Sequence, residues 1–559
     1  MTEPRTPTDV DAFAEDYFTK TLELSPEGAT YLGISGYETE YGDYSPAGKQ
    51  QKAELDAAAL RDLQHLSPAD HTDEITLHAM VERLSLSGAL HATGREDVNN
   101  IATAAHSARQ ILDLMPQSTE QDFVHIAGRL ANLPGALKGW WESLRAARDS
   151  GQVSSARQVQ AAAGQFASYA AQDGPLAQLV TAAESAGVGG SALADVRRGV
   201  EGAAAAYLEL SRRLTERLLP AAPAQDAVGR DYYRLASQSF TGTVLDLEET
   251  YQWGLEELAR LVSAQQEIAA QIKPGATVAE AKDALNADPA RTLYGTDALQ
   301  EWMQRLSDQA IADLKDSHFE IPSPMDQLEC RIAPTTDGGV YYTGPSEDFS
   351  RPGRMWWSVP PEDTEFTTWA ETTTVYHEGV PGHHLQVATA VLVKDKLNSW
   401  RRNGCFTSGY AEGWALYAED LMAELGYLDD PGDMMGMLDM QRMRAARVVF
   451  DIGLHCGFRA PAEWGSQVWS AVSGRAFLRE HLPISEAQLE FELTRYLGWP
   501  GQAPSYKVGQ RVFQQIRAER EQAARSAGQE LDLKAFHTEL LQLGTLSLDT
   551  LRRAMRAGD

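Results

Sequence analysis

The run His377-Glu378-Gly379-Val380-Pro381-Gly382-His383-His384 holds the parts of a hydrolytic metal site: imidazoles to bind a cation and a carboxylate to take a proton from water. In the common H-E-x-x-H arrangement the two histidines stand at i and i+4 on one helical face, so both reach one zinc ion while the glutamate faces the water. Here the second imidazole comes six or seven positions after His377. On a regular helix His383 sits roughly 9 Å along the axis and about 120° round from His377, whereas His384 returns to the same face roughly 10.5 Å away. Neither can share a cation with His377 on an unbroken helix. Pro381 removes a donor and clashes with the preceding turn, and Gly382 accepts the dihedrals of a bulge, so two residues can loop out and restore the spacing. On that basis His383 is the better second ligand. His384 is the alternative, and otherwise a neighbour that orients ligand or substrate. The competing expectation is a helix end with surface histidines.

A third ligand has a place at Glu412, 29 positions after His383, the distance of a helix, a loop and a returning helix. Glu412 shares its helical face with Ala415, Leu416 and Glu419, where an ionised carboxylate is costly unless a cation answers it. Zinc is one such cation; Arg401 or Arg402 is the structural alternative. Glu419 fits better as the carboxylate that holds a ligand imidazole. Further on, Arg444, Arg447, Asp451 and His455 recur at three, four and four on one face. An ion pair of Arg447 with Asp451 explains this stripe most simply. The sharper expectation makes the stripe a wall of the site, with Asp451 behind the ligands.

The segment Thr494 to Lys507 then packs phenols, cations and an amide into a Pro/Gly-rich turn. Tyr506, or else Tyr496 or His455, is expected to hydrogen-bond the oxyanion of a reacting carbonyl. Arg495 and Lys507 are expected to hold a substrate carboxylate, with Gln502 lining the same site.

These residues need a frame, and the pattern supplies a mainly α one. Asp9 to Glu23, Glu54 to His65, Asp73 to Leu90, Arg157 to Ala171, Leu193 to Leu218 and Leu245 to Gln271 all carry apolar residues at three and four among Ala, Leu, Glu and Arg. Gln327 to Ile332, Val340 to Thr343 and Met355 to Val359 are short and β-branched or aromatic, bounded by Gly338-Gly339 and Pro352-Gly353, and predict a small sheet beside the metal helix. Met355 to Val359 is expected to align a peptide substrate by β-augmentation. Pro360-Pro361-Glu362-Asp363 predicts the start of that helix, with Phe366, Trp369, Thr373 and Tyr376 as its buried stripe. Pro and Gly around Leu219 to Arg230 divide an N-terminal helical half, 1–220, from a catalytic half, 221–559, within one continuous two-lobed unit.

The chain has 559 residues with 49 Lys+Arg against 79 Asp+Glu, a net charge of −30. Such an excess of acids repels phosphate backbones and anionic leaflets, so neither nucleic acid nor a membrane surface is an expected partner. At 43% hydrophobic and 23% charged residues the composition is globular. Three cysteines, Cys330, Cys405 and Cys456, form no C-x-x-C pair and no disulfide framework. Met1 to Lys20 has no apolar core of a leader, and Leu385 to Val393 falls short of the roughly 18 apolar residues of a span. The expected location is therefore the cytoplasm; a homo-oligomer is compatible with all of this.

Four motifs together are more specific than any one: H-E-G-V-P-G-H-H-L-Q, E-G-W-A-L-Y-A-E, D-I-G-L-H and R-Y-L-G-W-P-G-Q-A-P-S-Y-K-V-G-Q. With S-P-E-G-A-T-Y-L-G near the start and Y-Y-T-G-P-S-E-D-F-S-R-P-G in the middle, they closely resemble the bacterial domain-of-unknown-function family eight-eight-five. That family resembles the helical gluzincin zinc peptidases, such as the thermostable carboxypeptidases, oligopeptidases and angiotensin-converting enzyme. The resemblance implies a helical zincin-like body with a deep groove and zinc at its floor, held by His377, His383 and Glu412 with Glu378 as base. It implies hydrolysis of short peptides by a metal-activated water. Two other expectations compete: a helical peptide-binding protein without turnover, and a metal-dependent hydrolase of a non-peptide amide or ester. Ligand type alone also admits manganese or cobalt in place of zinc.

Overall fold

Short polar residues start the first helices. Thr8, Ser45, Asp70, Thr103 and Thr119 each accept the backbone N–H three residues on, which satisfies one of the donors a helix leaves open at its N-terminus. The structure, a computed structural model, describes residues 5–333 and 339–556. Gly338 of the expected strand boundary and the first four residues of Met1 to Lys20 lie outside the described residues.

Helices α1 (Asp9–Leu24), α2 (Pro26–Tyr31), α3 (Pro46–Leu63) and α4 (His71–Ala92) give their apolar stripes to the main core. A second core, from Val98 to Leu218, is built by α5 (Ala104–Leu114), α6 (Glu120–Asp149), α7 (Ala156–Tyr169), α8 (Pro175–Ser185) and α9 (Gly190–Arg213). The C-terminal edge of that core lies next to the expected boundary at 220, but the first four helices pack with the rest of the chain. Four of the six expected helices agree with the structure within two residues at each end. Helix α3 starts eight residues earlier than expected, at Pro46, because Ser45 caps it and proline is preset for a first turn. The run Leu193 to Leu218 ends α-helical at Arg213 and finishes as a π-helical turn over Leu214–Leu218.

The site-bearing part begins with α10 (Arg230–Thr241), α11 (Leu247–Ile272), α12 (Val278–Asn286) and α13 (Thr296–Leu314). Strand β1 (Thr292–Tyr294) precedes α13. Next come β2 (Leu328–Ile332), β3 (Val340–Thr343) and β4 (Gly353–Trp357), which form the expected sheet in the order β2-β4-β3. β4 pairs parallel with β2 and antiparallel with β3. The strand expected to receive substrate, Met355 to Val359, is thus the central one, with both ladder edges filled. Pro360 to Asp363 is a turn rather than a helix start; its prolines lead into β5 (Glu365–Thr367), which pairs antiparallel with β1. Phe366 consequently lies on a strand and outside the helical stripe.

Helices α14 (Thr368–Glu378), α15 (His383–Leu392), α16 (Ser408–Glu424) and α17 (Pro431–His455) follow, then α18 (Ala471–His481), α19 (Glu486–Gly498), α20 (Ser505–Ser526), α21 (Leu533–Gln542) and α22 (Leu548–Arg556). α17 is the axle: it packs against α11, α14, α16, α18, α19 and α20 and is buried along most of its length. α16 and α20 cross with backbones in contact, since a Cβ on Gly413 would stand 2.5 Å from Gly509. That crossing brings Glu412 and Tyr506 to the same place. Among the described residues no helix is long and apolar enough to cross a membrane, and all three cysteines are free and buried.

Candidate metal centre

The helix carrying His377 stops where the sequence interrupts it. α14 ends at Glu378, and α15 begins at His383 after Gly379-Val380-Pro381-Gly382. Proline has no N–H to continue the ladder. Gly382 lies so close to the end of α14 that a Cβ there would stand 1.9 Å from the His377 carbonyl oxygen. The connection is therefore a full break between two helices rather than a bulge within one. On the other side the indole N–H of Trp414, on α16, donates to the carbonyls of Pro381 at 2.9 Å and Gly382 at 3.2 Å. One hydrogen-bonded indole thus fixes the break against the helix that carries Glu412.

The outcome is a cluster. His377, His383 and Glu412 each offer a ligand atom, and these atoms all lie within 4.8 Å of one another. His377 Nε2 is 3.3 Å and His383 Nε2 is 3.8 Å from Glu412 Oε2, and the two imidazole rings meet edge to face at 4.9 Å. The alternative partners of Glu412 are engaged elsewhere. Arg401 donates to the Thr76 hydroxyl and the Leu543 carbonyl, and Arg402 to Glu347.

Behind His377, its Nδ1–H donates to Glu419 Oε1 at 2.7 Å, which turns Nε2 toward the cluster. Glu419 Oε2 accepts from the Thr373 hydroxyl at 2.9 Å and from Gln441 at 3.5 Å. Arg444 stands 3.5 Å from the same carboxylate. Burial alone would neutralise Glu419, but the Arg444 charge and the His377 hydrogen bond hold its carboxyl below the usual range. For His377 burial opposes the charge, yet the Glu412 and Glu419 carboxylates outweigh it and lift its pKa to about 9. Glu412 is held well below the usual carboxylate range, against burial, by His377 and His383. In Glu378 the balance goes the other way: burial pushes its carboxyl up, although both histidines pull it down.

Two of the expected contributors, Glu378 and Tyr506, are not tied to the scaffold by a hydrogen bond among the described residues. Glu378 is buried at the end of α14, and Tyr506 lies half-buried at the start of α20. Burial and the Glu412 charge raise the Tyr506 pKa, so the phenol stays protonated.

The other expected residues spend their polar atoms on the scaffold. His384 is buried against the sheet: Nδ1 accepts from the Tyr342 hydroxyl at 2.9 Å and Nε2–H donates to the Met325 carbonyl at 2.8 Å. It has no ring nitrogen left for metal or substrate. Burial lowers its pKa to about 4. Tyr496 receives Arg447 Nε at 2.5 Å and donates to Glu492, so its hydroxyl is not an oxyanion donor. His455 Nε2–H donates to the Tyr496 carbonyl at 2.8 Å, beneath the stacked Tyr233 ring. Burial holds its pKa near about 4. Lys507 is buried on the far side of α20, where Nζ donates to Glu257 and Gln510 at 2.7 Å each. Arg495 donates to Gln502 at 2.7 Å and to Glu492 at 3.1 Å, and only its Nε is buried without a partner.

The polar stripe of α17 is accordingly a rack of fasteners. Arg447 pairs with Glu492 of α19 at 3.2 Å, not with Asp451. Asp451 accepts the Tyr233 hydroxyl at 2.6 Å and the Gly501 N–H at 2.9 Å, which pins the turn leading into α20 and hence Tyr506. It touches none of the three cluster residues through a hydrogen bond. Burial lifts its pKa to about 7. Gln441, Glu492 and Tyr233, and the bond of Thr373 to Glu419, are supports that the sequence does not reveal. Thr373 reads in the sequence as part of the buried stripe, one turn before His377, and Glu492 as an acid three positions before Arg495. Tyr233 has no local signal.

Comparison with known proteins fits this geometry into a family without supplying a reaction. No curated protein matches the chain. Two solved structures share its fold. One is described as "the putative lipoprotein from Colwellia psychrerythraea", with 23% identity, 98% of each chain covered and a TM-score of 0.83. The other is "a putative lipoprotein of unknown function from Shewanella oneidensis", with 17% identity, 98% of this chain and 100% of that one covered, and a TM-score of 0.73. Residues 26–555 match the family model described as bacterial protein of unknown function (DUF885), and the chain belongs to that family.

Proposed function

We propose that the protein is a zinc-dependent hydrolase of short peptides on a gluzincin-like helical body, with His377, His383 and Glu412 as ligands and Glu378 as general base. One observation carries this: three donors from three helices converge within 4.8 Å. The donor set fits the ion. Tetrahedral zinc with bonds of about 2.0–2.2 Å keeps its ligand atoms roughly 3.4 Å apart, and Glu412 Oε2 lies 3.3 and 3.8 Å from the two imidazole nitrogens. Two histidines and a glutamate are also a donor set of catalytic sites that keep a position open. When bound, the metal supplies a Lewis acid that makes water more acidic and polarises a carbonyl.

The chain's own residues do the rest. Glu378, its pKa raised by burial, takes a proton from the attacking water and passes it to the leaving amine. Tyr506 donates its hydroxyl to the oxygen of the reacting carbonyl. Glu419 keeps His377 in the tautomer that presents Nε2. Among the described residues β3 is an edge strand, next to α14, and an extended peptide can lie along it. The test is turnover of a mixed peptide library by zinc-loaded protein: Glu378→Gln is expected to keep the metal and lose hydrolysis. Undiminished turnover in that variant removes Glu378 from the mechanism.

A further inference from the structure

Three guanidinium groups gather on the Tyr506 side of the cluster. Arg444 and Arg447 stand over the Tyr506 ring at 5.7 and 5.2 Å, and Arg495 stands over Trp499 at 5.5 Å. Two carboxylates answer these three cations at ion-pair distance. Glu492 is shared between Arg447 at 3.2 Å and Arg495 at 3.1 Å. Glu419, 3.5 Å from Arg444, is already bonded to His377 and Thr373. Arg444 is left with hydrogen bonds unmade: Nε is buried without a partner, and Nη1, buried likewise, has only the Glu419 oxygen at 3.5 Å, on a side chain only 8% exposed.

A buried cation with orphaned donors is costly unless something arrives to use them. A carboxylate is the natural acceptor for such a guanidinium N–H, giving a charge-assisted hydrogen bond. Position narrows the choice further. Only the Glu419 carboxylate separates Arg444 from His377, and the Arg444 charge is felt at Glu378 and Tyr506 as well. A residue of extended chain advances about 3.3–3.6 Å. An anion held at Arg444 therefore belongs to a residue close to the scissile bond, and not to a distant part of a long substrate.

Resting on the hydrolase assignment above, we infer that Arg444 seats the C-terminal carboxylate of the peptide, which makes the enzyme a carboxypeptidase that releases one residue at a time. Lys507, whose donors are taken, does not serve this role, and Arg495 keeps only Nε unpaired, its two terminal nitrogens being bonded to Glu492 and Gln502. An acidic side chain offers the same carboxylate chemistry, and the experiment separates the two sources.

The test uses fluorescein-labelled pentapeptide libraries lacking Asp and Glu, with either a free or an amidated C-terminus, and a third amidated library ending in Glu. Binding is read by anisotropy on zinc-loaded Glu378→Gln protein, and turnover on zinc-loaded wild type. The free-acid library is expected to bind tenfold or more tighter than either amide, and to be shortened by its last residue alone. The acid-to-amide ratio should fall to about one in Arg444→Gln and be partly retained in Arg444→Lys. Because this ratio is internal to each variant, a general loss of metal or stability does not move it. Equal binding of acid and amide, preference for the Glu-terminated amide, a ratio unchanged in Arg444→Gln, or no binding at all would each overturn the inference. An acid preference without turnover would leave the carboxylate seat standing and remove the hydrolase assignment.

Discussion

The Trp414 indole N–H donates to the Pro381 carbonyl at 2.9 Å, and through that bond the helix of the third donor holds the break that separates the first two. Trp414 is fully buried, so truncation to alanine would cost about 3–5 kcal/mol and confuse the fold with the site. Trp414→Phe keeps most of the volume and removes the donor. It should leave cooperative unfolding intact and weaken zinc binding about 10- to 100-fold, the range seen when a group that orients a ligand is lost. Chelator competition measures this; unchanged affinity would show that the break holds its shape unaided.

His383 and His384 are adjacent yet face different surroundings, so their variants should separate. His383→Asn is expected to abolish zinc binding with little loss of stability, because its ring is partly exposed. His384→Asn should retain zinc and lose about 1–3 kcal/mol in urea unfolding, since the Tyr342 hydroxyl and Met325 carbonyl are left unpaired in a buried place.

Tyr506→Phe removes a hydroxyl but no packing. Turnover should fall about 10² to 10³-fold with metal content unchanged, the usual consequence of deleting one oxyanion donor. Tyr496→Phe, by contrast, should act on stability, because its hydroxyl joins Arg447 to Glu492. Equal kinetic losses in both variants would count against the assignment.

Acid sensitivity has a source well away from the cluster. His537 is fully buried, stacked on Phe319 at 4.8 Å and bonded to the Tyr417 hydroxyl at 2.8 Å. Burial, with the Arg517 charge beside it, lowers its pKa to about 3. The folded state thus favours the neutral ring. Its contribution is complete above the unfolded pKa of about 6.5 and is lost as pH falls toward 3, by on the order of 4 kcal/mol. His537→Gln cannot titrate, so the stability gap between wild type and variant should narrow from pH 7 to pH 4 in urea midpoints. Parallel curves would show that His537 does not titrate in this way.

How much of this was legible depends on how local the signal is. The Pro381-Gly382 interruption, the return of Glu412 after a helix and loop, and Glu419 two turns further along the same helix each leave a mark in the pattern. The fate of the polar residues around them does not. Whether Lys507 reaches a ligand is decided by Glu257, 250 positions away, and the role of Asp451 is decided by Tyr233, 218 positions away. A cation in a Pro/Gly-rich turn reads the same whether its partner is substrate or scaffold. In the same way, the five residues of β4 carry a strand pattern that does not distinguish a central strand from an edge. The proline pair at 360 reads as a helix start because nothing nearby reveals the β1 partner that extends Glu365–Thr367 first.

The central claim is that one cation draws His377, His383 and Glu412 together, and metal content tests it most directly. Protein purified without added metal is analysed by plasma mass spectrometry beside His377→Ala and Glu412→Ala. The account predicts about one zinc per chain in wild type and almost none in either variant. Equal metal in all three proteins would contradict it.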